Sequence, residues 1–196
     1  AFFEQGMGEA AEQRFRVERE LRHAIGAGEL RLHLQSQVDV SGQVTGAEVL
    51  VRWQHPRDGL VAPGVFIPVA EESDLIVSLG EWVLAHACAL LAQPVFRARR
   101  LRLSVNLSAR QFRQAGFVGQ LRAVLAATGA DPRLLTLEVT EGLVIDDFDD
   151  AVAKMRALAA LGVDMSLDDF GTGYSSLAYL KRLPIQEIKI DLSLIH

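Results

Sequence analysis

Cys88 is the only cysteine in 196 residues. That excludes an intrachain disulfide and a cysteine-rich metal centre. Its setting in an apolar helical run marks it as a core residue. Long hydrophobic runs are missing too. The best stretch, Trp82 to Leu91, is too short to span a bilayer and is interrupted by His86. No signal-peptide pattern is visible, so the simplest expectation is a cytoplasmic domain without membrane contact. Positive charge is scarce: 20 Lys+Arg against 25 Asp+Glu give a formal charge of -5. This argues against a surface for a nucleic-acid polymer and leaves room for a small anionic ligand held by a few cations. There is no Gly-rich dinucleotide fingerprint, no phosphate-binding loop of the nucleotidase kind, no internal repeat and no low-complexity segment. What is present is a hydrophobic fraction of 49%, enough for the core of one domain.

The chain is organised around Met165-Ser-Leu-Asp168-Asp169-Phe-Gly-Thr-Gly173. An apolar alternation at Met165 and Leu167 predicts a strand, which ends in two adjacent carboxylates and a Gly-Thr-Gly turn. Neighbouring residues on a strand face opposite ways. Asp168 and Asp169 can therefore serve one site only where the strand stops and turns. Two carboxylates side by side are costly without a cation or good donors between them, and the pair suits a divalent ion such as Mg²⁺ or Mn²⁺. The alternative at this point is an Asp-rich capping turn ahead of a helix.

Period-two patterns predict strands over about 30–39, 46–53, 102–108, 134–140, 164–169 and 186–193. Helices are predicted over about 9–27, 66–92, 109–128, 147–161 and 174–182. The first two strands are joined by a hairpin-like turn at Asp39-Val-Ser-Gly-Gln-Val-Thr. Strand–helix alternation follows, which implies parallel strands with right-handed crossovers. The strand faces are uneven. His33, Gln35 and Gln37 share a face, as do Glu48, Leu50 and Arg52; Ser104, Asn106 and Ser108; Thr136, Glu138 and Thr140; and Glu187, Lys189 and Asp191. The opposite faces are apolar. A doubly wound sheet would be apolar on both sides, whereas a TIM-like (β/α) barrel with a site at the C-terminal ends of its strands turns such polar groups inward. Polar groups pointing inward are costly unless paired or bound to something. The same pattern in five strands selects the barrel, with its first strand antiparallel to the rest.

These residues resemble the EAL domain family, the bacterial phosphodiesterases of cyclic di-GMP. The segments that carry the resemblance are Gly46-Ala-Glu48-Val-Leu-Val-Arg52-Trp53, His55-Pro56 with Pro63 and Phe66-Ile-Pro-Val-Ala-Glu71, Ser104-Val-Asn106-Leu-Ser108, Leu137-Glu138-Val-Thr-Glu141, Asp168-Asp169-Phe-Gly-Thr-Gly173-Tyr-Ser-Ser-Leu177 and Ile188-Lys189-Ile-Asp191, in the family's order from about residue 17 onward. The resemblance implies that Glu48, Asn106, Glu138 and Asp168 ligate a first metal and that Asp169 belongs to a second. It implies that Lys189 positions or activates the attacking water, and that Glu141 holds the loop after the fourth strand, where metal binding couples to a homodimer contact. Arg52 would hold a phosphate of cyclic di-GMP, and Gln35 would line its guanine or sugar side. The reaction implied is hydrolysis to the linear dinucleotide pGpG, assisted by two Mg²⁺ or Mn²⁺ ions, in bacterial second-messenger signalling. The alternative is a receptor or interaction module that binds cyclic di-GMP without cleaving it. Plainer roles also exist: Arg52 as partner of an inward carboxylate, Asn106 as a turn residue before a helix capped by Ser108, and Lys189 as partner of Glu187 or Asp191.

Val49 stands in the middle of the namesake triplet, on the outward face, where an extra branch affects packing and not chemistry. Ser36 follows Gln35, where the family usually has proline. A barrel of this kind takes about 250 residues; the resemblance implies two further strands with a late glutamate and a late glutamine, so the expectation is either that these strands belong to a longer protein or that a partner chain covers the open edges, and that residues 1–196 by themselves hydrolyse poorly or not at all. Residues 1–8 read as a linker or the tail of an upstream domain, similar to the exit of a GGDEF domain, and residues 9–196 as the EAL domain.

Overall fold

A computed structural model describes residues 2–170 and 180–190. The chain opens with helix α1 (Phe2–Ala27), so residues 2–8 are helical and continuous with the helix expected from residue 9. Val17, Leu21 and Ala24 recur at helical spacing and are buried, while Phe15 is exposed. Gly28, at φ 69°, takes the left-handed conformation that ends α1.

Strands β1 (Leu30–Val38) and β2 (Val44–His55) form the expected antiparallel hairpin. Its turn is closed by Asp39 Oδ1, which accepts from Ser41 N at 2.8 Å, Ser41 Oγ at 2.6 Å and Gln43 N at 3.1 Å. These donors hold the Asp39 carboxyl below its ordinary pKa, the Ser41 hydroxyl most of all. A short strand β3 (Gly59–Val61), not foreseen from the sequence, folds back on the end of β2.

The predicted helix over 66–92 is two helices, α2 (Pro63–Glu72) and α3 (Leu75–Leu91). Ser73 breaks them: its backbone is extended, and its hydroxyl bonds the carbonyls of Val69 at 3.1 Å and Ala70 at 3.3 Å. A serine that offers the backbone local hydrogen bonds of this kind competes with helix continuation. After α4 (Pro94–Arg99) come β4 (Arg102–Asn106), α5 (Ala109–Phe112) and α6 (Phe117–Thr128). Then come β5 (Leu135–Thr140), α7 (Glu141–Asp146), α8 (Phe148–Leu161), β6 (Asp164–Phe170) and β7 (Glu187–Ile190). The predicted helix over 174–182 and the end of the last predicted strand lie almost wholly outside the described residues.

The described strands form one sheet in the order β1-β2-β4-β5-β6-β7, with β3 attached to β2. All pairings from β2–β4 onward are parallel. This is the mixed α/β, TIM-like arrangement expected, with its first strand antiparallel. The outward faces supply the core: Val49, Leu103, Val105, Leu135, Leu137, Val139, Met165 and Leu167 pack under Cys88 and Leu91 of α3, Leu121 of α6 and Met155 and Leu158 of α8. Val49 is 3% exposed, so the namesake triplet's middle residue is indeed a packing residue. A second cluster joins Leu21, Ala24, Trp53, Phe66 and Leu79, fastening α1 and α2 to the far end of β2.

Candidate metal centre

Three parallel registers place the polar residues in rows on the inner face. Glu48 pairs with Ser104, Asn106 with Glu138, Glu138 with Ser166, and Thr140 with Asp168. Paired residues in a parallel ladder face the same way. The alternation read from the sequence therefore becomes one cluster.

At its centre, Asn106 Nδ2 donates to Glu48 Oε1 at 2.8 Å, across the β2–β4 seam. The Lys189 ammonium reaches over from β7, 3.6 Å from Glu48 Oε2 and in direct ion-pair contact with Glu138 Oε1. Lys189 thus pairs with the carboxylates of β2 and β5, not with Glu187 on its own strand. Glu138 is 1% exposed. Burial raises its carboxyl pKa above the ordinary range; Lys189 and, more weakly, the Ser104 hydroxyl pull it back, and the Glu48 charge adds to the rise. Burial works against the charge on Lys189, but Glu138, Glu48 and Asp168 together outweigh it and lift its pKa above the usual lysine value.

Glu138 Oε2 is buried with no hydrogen-bond partner among the described residues. A buried carboxylate oxygen left in that condition is costly and is what an absent cation would relieve. The surrounding donors are all oxygens or an amide: Glu48, Asn106, Glu138 and Asp168. That set fits a hard divalent ion such as Mg²⁺ or Mn²⁺. Asp168 is half-buried. Strand β6 carries the carboxylate pair at its C-terminal end, as the sequence suggested, running to Phe170, and its pairing with β7 shifts register between Leu167 and Phe170. The side chain of Asp169 lies outside the described residues.

Arg52 lies four residues beyond Glu48 on the same face, half-buried, with Nη1 donating to the Val51 carbonyl at 2.9 Å. It lines a cavity of about 370 Å³ together with Glu71, Asn106 and Glu138. Gln35 stands opposite Glu48 in the β1–β2 ladder and is exposed. Glu141 is not a loop residue: it is the first residue of α7, directly after β5, and is 5% exposed. An acidic residue there is favoured by the helix N-terminus. Ser108 caps α5 as expected, its Oγ accepting from Gln111 N at 3.2 Å.

Sequence reasoning passed over three inner residues, Arg102, Asp164 and Ser166. Arg102 pairs directly with Asp164 and donates to Thr136 Oγ1 at 3.3 Å, one row below the centre. The signal was available: Arg102 alternates with Ser104 and Asn106, and Asp164 and Ser166 with Asp168.

A second group of metal-capable side chains lies elsewhere. The candidate ligand atoms of Glu20, His55 and Asp58 lie within 4.8 Å of one another. His55 is buried, its Nδ1 accepts from Asp58 N at 3.0 Å, its Nε2 is 3.4 Å from Glu20 Oε2, and Arg57 pairs with Glu20 at 2.5 Å. Both ring nitrogens are thus already engaged within the protein.

The sequence profile of the EAL domain covers residues 18–196. The chain belongs to the EAL domain family. It is 44% identical, over 97% of its length, to the bifunctional diguanylate cyclase/cyclic di-GMP phosphodiesterase MucR of Pseudomonas aeruginosa, and spans 28% of that protein. It is 41% identical, over 99% of its length, to the cyclic di-GMP phosphodiesterase NbdA of the same organism, and spans 25% of that protein. The chain thus spans about a quarter of the length of these curated relatives. Among solved structures, the fold is similar to a MucR phosphodiesterase in complex with c-di-GMP, with a TM-score of 0.86 and 44% identity over 91% of this chain and 73% of that one. It is also similar to the FimX EAL domain from Pseudomonas aeruginosa bound to c-di-GMP, with a TM-score of 0.81 and 28% identity over 90% of this chain and 72% of that one. Within this EAL domain the namesake glutamate, Glu48, is the residue that Asn106 and Lys189 converge on.

Proposed function

We propose that this EAL domain is the catalytic part of a metal-dependent phosphodiesterase that opens cyclic di-GMP to linear pGpG. The observation that carries the reading is the convergence of Glu48, Asn106, Glu138 and Lys189 on one inner face, with Glu138 Oε2 buried and unpartnered. The activity of MucR and NbdA, named for relatives over 40% identical to this chain, supports it.

In this mechanism Glu48, Asn106, Glu138 and Asp168 hold one divalent ion, Mg²⁺ or Mn²⁺, and Asp169 contributes to a second. The ions supply Lewis-acid stabilisation of phosphoryl charge and a more acidic water. Arg52, which lines the cavity, clamps a non-bridging phosphate oxygen, and Gln35 contacts the guanine or sugar. Lys189, kept protonated by the carboxylates around it, orients the attacking water and offsets charge building on the phosphoryl group. Glu141 steadies the β5–α7 junction, and the region around it forms the contact of a homodimer. Among the described residues no helix is long and apolar enough to cross a membrane, and the reading places the domain in the cytoplasm.

The test is turnover of cyclic di-GMP by the intact protein, treated with chelator and then reloaded with Mg²⁺ or Mn²⁺. Metal-dependent release of pGpG is the expected result. Binding of cyclic di-GMP without any pGpG would replace the enzyme by a receptor.

A further inference from the structure

Beside the unpartnered Glu138 Oε2 lies a second buried atom in the same condition. Ser166 Oγ belongs to a residue that is 0% exposed and has no hydrogen-bond partner among the described residues. The two residues are register partners on β5 and β6 and face the same interior. Neighbouring strands lie about 4.8 Å apart, so the two groups stand side by side without a direct hydrogen bond between them, an arrangement that one water can bridge. Among the polar neighbours the Ser104 hydroxyl also acts on the Glu138 carboxyl, and the others are engaged elsewhere. Asn106 Nδ2 is taken by Glu48, the Lys189 ammonium sits on Glu138 Oε1, and Arg102, Thr136 and Asp164 bond one another in the row below.

We infer that an ordered water bridges Ser166 Oγ and Glu138 Oε2, which makes Ser166 a positioning residue for Glu138. A buried water is stable where it meets at least two polar partners, and these two residues supply them. With Lys189 on one oxygen and the bridged hydroxyl behind the other, the Glu138 carboxylate is held from both sides. Its terminal torsion is otherwise broad and weakly defined. Outer partners of this kind orient metal ligands. The effect on metal affinity rests on the reading of Glu138 as a ligand; the water itself does not.

Two measurements on the intact protein decide the matter: a high-resolution crystal structure without metal, and a calorimetric Mn²⁺ titration of wild type, Ser166→Ala and Ser166→Thr. The expected density is a peak within hydrogen-bond distance of both atoms, lost in Ser166→Ala. The expected affinity loss in Ser166→Ala is roughly tenfold, recovered in Ser166→Thr, which keeps the hydroxyl. A hydroxyl turned onto a backbone carbonyl with no bridging peak overturns the inference, as does Ser166→Ala binding Mn²⁺ like wild type. If wild type itself binds no Mn²⁺, the metal reading of the site fails, and the density peak alone decides for or against the bridge.

Discussion

Asn106 and Glu48 lie 58 residues apart in sequence, yet the Asn106 amide donates to the Glu48 carboxylate at 2.8 Å. With its nitrogen spent on Glu48, the Asn106 side chain keeps its carbonyl oxygen for another partner. The neutral side chain thus stands beside Glu48, one register partner away from Glu138. Asn106→Asp adds a charge and removes that donor bond. Turnover is expected to fall by about 100-fold or more, measured as kcat/KM at saturating Mn²⁺, with little change in thermal midpoint because Asn106 is exposed.

Lys189→Met tests the ion pair at the centre. Glu138 is wholly buried and loses its cation, and uncompensated burial of one partner costs about 3 kcal/mol. The free protein should therefore be less stable by denaturant titration. The double variant Lys189→Met/Glu138→Gln should recover most of that loss while remaining inactive. A double variant no more stable than Lys189→Met would mean that the pair does not carry the stability.

Gly46 is the register partner of Arg102 where β2 meets β4. A Cβ there would stand 2.6 Å from the Arg102 carbonyl oxygen, a backbone atom that cannot swing away. Gly46→Ala should cost about 2 kcal/mol or more and spread the seam that sets Glu48 against Ser104. A thermal-shift measurement checks the stability, and loss of Mn²⁺ affinity checks the seam.

Cys88 is 0% exposed, and burial pushes its thiol up to about 11 from 9.0. The folded state therefore binds the thiol proton more tightly than the unfolded one. Its contribution is complete below pH 9 and is lost as pH rises from 9.0 to about 11, at up to about 1.4 kcal/mol per pH unit. Unfolding free energy should drop over that window in wild type and less steeply in Cys88→Ala. At pH 8 a disulfide reagent should label the thiol only after denaturation.

His55→Ala separates the two acidic groups. It should destabilise the fold by about 2 kcal/mol, because the Asp58 backbone N–H loses its partner and Glu20 keeps only Arg57. It should leave Mn²⁺ affinity at the Glu48 site unchanged. A parallel loss of affinity would place a functional ion at Glu20, His55 and Asp58 instead.

The period-two alternation by itself determined most of the strands and the polar inner face that carries Glu48, Asn106, Glu138 and Lys189; their reading as site residues came from the resemblance to the EAL domain family. Alternation is a local property, and a strand's two faces follow from neighbouring residues alone. The helix break at Ser73, Glu141 as the start of α7 rather than a loop residue, and the register shift of β6 against β7 between Leu167 and Phe170 came only with the tertiary structure. Local sequence left each of these balanced between alternatives, and distant contacts settled them. The same holds for the chemistry. Lys189 could have paired with Glu187 nearby; it reaches Glu138 and Glu48 because β7 and the earlier strands bring their inner faces together in one sheet. Burial, which raises the Glu138 pKa and leaves its second oxygen and Ser166 unpartnered, exists only once those faces meet.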